Sequence, residues 1–126
     1  MLDHVSVAVR DLRTSAAVYE KVLGALGLDR LVVRPATVGF GKKYPEFWLN
    51  LRPGVKPLDA DTGIHICLRA TDENAVRAFH AQAIAAGWTD SGLPGPRQAA
   101  MTMYYAAFVQ DPDGNKLEAA TFPRKA

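Results

Sequence analysis

The sequence predicts an α+β domain made of two βαβββ modules whose curved mixed sheets form a cup. Three observations predict it. The two halves of the chain are self-similar at an offset of 61 residues, each half passes from strand spacing to helix spacing, and three strand-like runs follow each helix. Strands clustered after one helix belong to mixed or antiparallel sheets, because a parallel α/β fold would alternate strand and helix.

The repeat lays "DHVSVAVRDLRTSAAVYEKVLGALGLD", from Asp3, over "IHICLRATDENAVRAFHAQAIAAGWTD", from Ile64. Each copy opens on a short strand with a histidine at its second position, His4 or His65, and reaches a helix cap at Asp11 or Thr71-Asp72. The first helix repeats apolar residues at Leu12, Ala16, Tyr19, Leu23 and Leu26, and the second at Val76, Phe79, Ala83 and Ile84. Gly24, Gly27 and Gly87 stop them. The runs "LVVRP", "TVGFG" and "EFWLNL" read as strands in the first half, and "WTDSG", "YYAAFVQ" and "NKLEAATF" in the second. The two prolines of "LPGPRQAAM" mark it as a loop. In "DPDG", Asp111 to Gly114 fit a type I turn leading into the last strand. The Pro/Gly-rich "RPGVKPLDADTG" joins module one, about residues 1–57, to module two, about 58–126.

Composition narrows the function. With 126 residues, 48% hydrophobic and 22% charged, the chain is one compact domain with a real core. Its formal charge of +2 comes from scattered basic residues, Lys42-Lys43 being the one adjacent pair before the tail "RKA", so no nucleic-acid footprint is present. The single cysteine, Cys67, excludes an internal disulfide. No apolar run is long enough to span a bilayer and no leader is recognisable, so a cytoplasmic protein with no membrane partner is expected.

The polar residues of the strands carry the functional signal. Val5, Val7 and Val9 share one strand face, as do Ile64, Ile66, Leu68 and Ala70; these faces pack beneath the helices and turn both histidines the other way. Glu118 is required by no turn and alone reads as a surface charge beside Lys116. With His4 and His65 at equivalent places of a repeat, it becomes the third member of a set that suits a divalent transition ion and leaves positions open.

"LDHVSVAVRDLRTSAAVYEKVLGALG", "GIHICLRA" and "FVQDPDGNKLE", in that order, resemble the vicinal oxygen chelate superfamily, which includes glyoxalase I, extradiol dioxygenases, and fosfomycin- and bleomycin-resistance proteins. The resemblance implies paired βαβββ modules around an open cup, and it aligns His4, His65 and Glu118 with the family's ligand positions. The metal it implies is Fe, Mn, Ni or Zn. Glyoxalase I has a further carboxylate in the last strand of its first module; here Glu46 is displaced to the edge of "EFWLNL", so the retained set fits two-histidine, one-carboxylate chemistry at least as well.

The remaining candidates are substrate-facing. Tyr104 and Tyr105 point to opposite sides of one strand, so one faces the cup; Tyr105 is assigned to catalysis with Glu118, and Tyr104, Trp48, Asn50 and Cys67 to the pocket. Cys67 also reads as a soft ligand or as a small core residue, and His80 as a packing or solvated residue. Arg52, Arg69 and Arg97 are candidates for an anionic substrate. The expectation is a metal-dependent lyase, isomerase or dioxygenase acting on a small oxygen-bearing molecule; the alternative is a metal-free binding protein of the bleomycin-resistance type. A homodimer is expected, since open sheets leave edge strands free.

Overall fold

The structure, a computed structural model, describes residues 1–123, so the basic tail "RKA" lies outside the described residues. The order of elements is β1 (Val5–Val9), α1 (Leu12–Gly24), β2 (Asp29–Val33), β3 (Thr37–Gly41), β4 (Pro45–Leu51), β5 (Ile66–Arg69), α2 (Glu73–Ala85), β6 (Thr89–Gln98), β7 (Met103–Gln110) and β8 (Lys116–Thr121). Each half forms one four-stranded mixed sheet, ordered β1-β4-β3-β2 in sheet one and β5-β8-β7-β6 in sheet two. In each, the first strand runs parallel to the last, and the other pairs are antiparallel. The βαβββ repeat read from the sequence is therefore the architecture.

Local chemistry sets the helices. The Asp11 carboxylate accepts from the Thr14 amide at 3.2 Å, and that of Asp72 from the Ala75 amide at 2.8 Å. Past the helix ends, Gly27 and Gly87 have φ of 83° and 88°, which suits residues without a Cβ. Leu12, Ala16, Tyr19, Leu23 and Leu26 are all buried, as are Val76, Phe79 and Ala83. Ile84 departs from the expectation: it falls off the stripe of Val76, Phe79 and Ala83 and is exposed. The helices meet each other, and the helix-facing sides of both sheets join them in one core where Tyr19 of α1 packs edge-on to Trp88 at 4.7 Å.

Two other expectations are corrected. The segment "LPGPRQAAM" is not simply a loop, because β6 runs through Pro94 and Pro96 as far as Gln98. It tolerates them as the edge strand of sheet two, with register breaks between Asp90 and Gly95. Ile64 is no core residue: β5 starts at Ile66, and Ile64 precedes it in the connection, exposed.

The turn before β8 locks the two modules together. Gly114 donates its amide to the Asp111 carbonyl at 3.0 Å, closing the turn read from "DPDG", and its φ of 86° is a glycine conformation. A Cβ at Gly114 would lie 2.5 Å from the Leu58 carbonyl, because the inter-module connection crosses the turn and donates the Leu58 amide to Asp113. The buried Asp111 carboxylate accepts from the Asp113 and Asn115 amides at 2.9 and 2.8 Å, from the Asn115 side chain at 2.8 Å and from the Tyr19 hydroxyl at 2.7 Å. Asn115 also donates to the Ala8 carbonyl of β1 at 2.9 Å, and the Arg10 guanidinium donates to Asp113 at 2.7 Å. Burial pushes the Asp111 carboxyl above the ordinary carboxylate range against the pull of these donors, and pushes the Tyr19 hydroxyl well up, with Asp111 adding to it.

Replacing Asp111 by Ala strands several buried donors at once. Urea unfolding of Asp111→Ala is expected to show a loss of roughly 2–4 kcal/mol, against about 1 kcal/mol for Tyr19→Phe, which deletes one donor and strands none. Equal losses in the two variants would refute the network as the inter-module lock.

Candidate functional site

The faces turned away from the helices carry the site candidates. On sheet two, Glu118 of β8 stands beside Cys67 of β5 and Phe108 of β7 in register. Strand alternation extends this face to Lys116 and Ala120 on β8, and to Tyr104 and Ala106 on β7. Glu118 is buried, 4% exposed, and its Oε1 lies 3.0 Å from His65 Nε2. Its other oxygen, Oε2, is buried without any partner among the described residues. A carboxylate oxygen withdrawn from water is costly unless donors reach it, and the Cys67 thiol and Tyr104 hydroxyl are the side-chain donors that approach Glu118 on this face.

Aromatic and cationic groups surround this carboxylate. The His65 ring lies 5.7 Å from that of Phe108, and Tyr104 stacks on Phe122 at 5.0 Å and 18°. Arg69 lies over the Phe122 ring at 4.6 Å, and Arg97 and Lys116 approach Phe108 at 5.9 and 5.3 Å. Although Cys67 is exposed as a residue, local desolvation of its thiol beside Glu118 pushes it up to about 12, with the Glu118 charge contributing, and the Tyr104 hydroxyl is raised by the same two causes.

Other sequence candidates sit elsewhere. Trp48 and Asn50 occupy the corresponding open face of sheet one, next to Ser6 and Ala8. Trp48 covers Gly39 so closely that a Cβ there would be 2.9 Å from its ring. His4 precedes β1, half exposed, with Nδ1 2.7 Å from the Asp3 carboxylate. Glu46, at the start of β4, accepts weakly from the Lys42 amide at 3.4 Å. Among the described residues no three His, Cys, Asp or Glu side chains converge on one point, so a single chain brings His65 and Glu118 together and leaves His4 on the other sheet.

Tyr105 lies apart from Glu118. Alternation along β7 turns it to the helix side, where its hydroxyl accepts from Arg77 of α2 at 3.2 Å and its ring packs on the core. Tyr104 is the tyrosine on the Glu118 face. Cys67 is exposed on that face and is not a core residue. His80 is a packing residue, buried with Nε2 2.9 Å from Asp90. Arg52 donates to its neighbour's carbonyl at Leu51 and takes no part in the Glu118 face. Phe108 was missed in the sequence, although it lies four residues beyond Tyr104 and so on the same strand face.

The sequence model of the Glyoxalase/Bleomycin resistance protein/Dioxygenase superfamily matches residues 1–119. The chain belongs to this superfamily. A glyoxalase/bleomycin resistance protein from Albidiferax ferrireducens, of known crystal structure, is 32% identical with a TM-score of 0.83, over 96% of this chain and 98% of that one. The fosfomycin resistance protein FosX of Listeria monocytogenes shares the fold, with a TM-score of 0.69 at 14% identity over 98% of this chain and 93% of its own. The uncharacterized protein YwbC of Bacillus subtilis is 28% identical over 93% of this chain and 94% of its own. Superfamily membership thus agrees with the βαβββ pair, and among the described residues no helix is long and apolar enough to cross a membrane.

The electrostatics of this face are testable at Cys67. With its thiol held at about 12, alkylation of chelator-treated protein by iodoacetamide at pH 8 should run on the order of a thousandfold slower than for a free cysteine, and should accelerate as pH rises toward that value. Glu118→Gln removes the adjacent negative charge and should speed the reaction. An ordinary rate in the parent protein would contradict the described surroundings of Cys67.

Proposed function

We propose that this superfamily member is a divalent-cation-dependent enzyme acting on a small oxygen-bearing molecule, with each site completed by two copies of the chain. His65 and Glu118 of one copy and His4 of the other would hold the ion. The observation that carries the reading is the buried Oε2 of Glu118, partnerless beside an imidazole on an open face. Imidazole and carboxylate donors suit Fe, Mn, Ni or Zn, and a bound cation would satisfy that oxygen. The bound ion would act as a Lewis acid on a substrate oxygen.

The need for two copies follows from placement. His4 and His65 each lie immediately before the first strand of a module, β1 or β5, and each of those strands is at the edge of its sheet. Edge strands of sheets open on one face are natural places for a second copy to associate. Around the ion, this chain's own groups have separable tasks: Tyr104 offers a hydroxyl beside Glu118, Phe108 and the Tyr104–Phe122 stack supply a flat apolar wall, and Arg69 and Arg97 attract negative charge. Glu46 sits at the start of its strand, so a glyoxalase I reaction with two flanking carboxylates is disfavoured over chemistry needing two histidines and one carboxylate.

A second reading, metal-free binding of a planar compound, is favoured by that same aromatic wall. Metal analysis of protein purified without chelator separates the two. The parent is expected to hold one ion per chain, and His4→Ala and Glu118→Ala each to lose it; equal low metal in all three would sink the enzyme reading. Mixing and re-equilibrating the two variants should restore about a quarter of the sites, because half of the random dimers then pair two intact halves at one site. Recovery of none, with the parent loaded, would show that each site is built within one chain.

A further inference from the structure

Between the start of α1 and the β2–β3 hairpin, module one holds a cavity of about 690 Å³. It lies between α1 and sheet one, separate from the Glu118 face of sheet two, and opens at the sheet edge where Arg34 also reaches the Trp48 ring. Its floor is apolar: Leu12, Ala16 and Val38 are buried core residues, and Leu51 adjoins them. Its rim is cationic. Arg10, Arg13, Arg30 and Arg34 all line it, and the one lining carboxylate, Asp11, is engaged in capping α1 through Thr14.

The four arginines differ in what already neutralises them. Arg10 pairs with Asp113 at 2.7 Å and Arg30 with Glu20 at 2.6 Å. Arg13 and Arg34 have no carboxylate partner among the described residues; Arg34 is held over the Trp48 ring at 5.7 Å. Arg30 also leaves its Nε buried with no acceptor. Free guanidinium groups and a stranded donor around an apolar floor are the complement of an anion with an apolar body.

Module two shows that the architecture does not require such a rim. The corresponding place, at the start of α2, is lined by Asp72, Glu73, Tyr104 and Phe122 and by no arginine. Two copies of one supersecondary unit thus line equivalent cavities with different residues: Asp72 and Glu73 stand at the module-two cavity, Glu73 paired with Arg77, and the four lining arginines belong to module one.

The geometry points to a second binding site here, for a small amphipathic anion whose carboxylate or phosphate head lies between Arg13 and Arg34 and whose apolar body rests on Leu12, Ala16 and Val38. Amide-resolved NMR titration of the full chain tests it with octanoate, octyl phosphate and, as the neutral counterpart, octanol. Octanoate or octyl phosphate should shift the amides of Leu12, Arg13, Val33 and Val38, whichever head binds more tightly identifying the preferred one, while octanol at equal concentration leaves them in place. The Arg13→Gln/Arg34→Gln variant changes two exposed side chains, so its fold should persist, and its affinity should fall roughly tenfold or more. Glu118→Gln should leave the affinity unchanged. Equal shifts with octanol in the parent protein, shifts centred on Cys67 and Phe108, or undiminished affinity in the double variant would each overturn the proposal.

Discussion

One carboxylate holds this architecture together. Asp111 ends β7 and, through its two oxygens, gathers the backbone of its own turn, the side chain of Asn115 and the hydroxyl of Tyr19 on α1. A buried charge is tolerable only when its acceptor sites are filled, and here they are filled from both modules. The same turn returns a hydrogen bond to β1 through Asn115 and takes an ion pair from Arg10 through Asp113. Because β8 begins directly after Asn115, the network that joins the modules also sets the register of the strand that carries Glu118. A one-residue slip there would exchange Glu118 for Leu117 and put a charge into the core.

Packing the modules through their helices has a consequence for chemistry. Both apolar sheet faces are consumed by one core, so both polar faces are left open to the outside. His65 and Glu118 share one of them, and His4, Trp48 and Asn50 belong to the other. Symmetry within the repeat makes the two histidines equivalent without making them neighbours. This division leaves His65 paired with a buried Glu118 whose second oxygen has no hydrogen-bond partner among the described residues. The arginine-lined cavity of module one shows the same repeat diverging, since equivalent positions in the two modules carry different side chains.

Much of this was legible in the sequence because it depends on local rules. Strand and helix periods located nearly every element, aspartate caps and glycine stops located the helix ends, and the alternation of β4 put Phe47 and Leu49 into the core and Trp48 and Asn50 outside it. Local rules failed where sheet position mattered. Two prolines argued against a strand at Leu93–Gln98, and the strand exists because it is an edge, a property of the assembled sheet. Tyr104 and Tyr105 were known to face opposite ways, but only the helix packing, which brings Arg77 against Tyr105, decided which of them joins Glu118.

By itself the sequence determined the βαβββ repeat and the superfamily and singled out His4, His65 and Glu118 as candidates, since motif order, spacing and side-chain type are one-dimensional properties. Only the tertiary structure decided that His65 meets Glu118 while His4 does not, and that four scattered arginines share the rim of one cavity. Those outcomes depend on how two sheets are disposed about a common core and on contacts between residues far apart in the chain, such as Tyr19 with Asp111. No periodicity within either half records that relation.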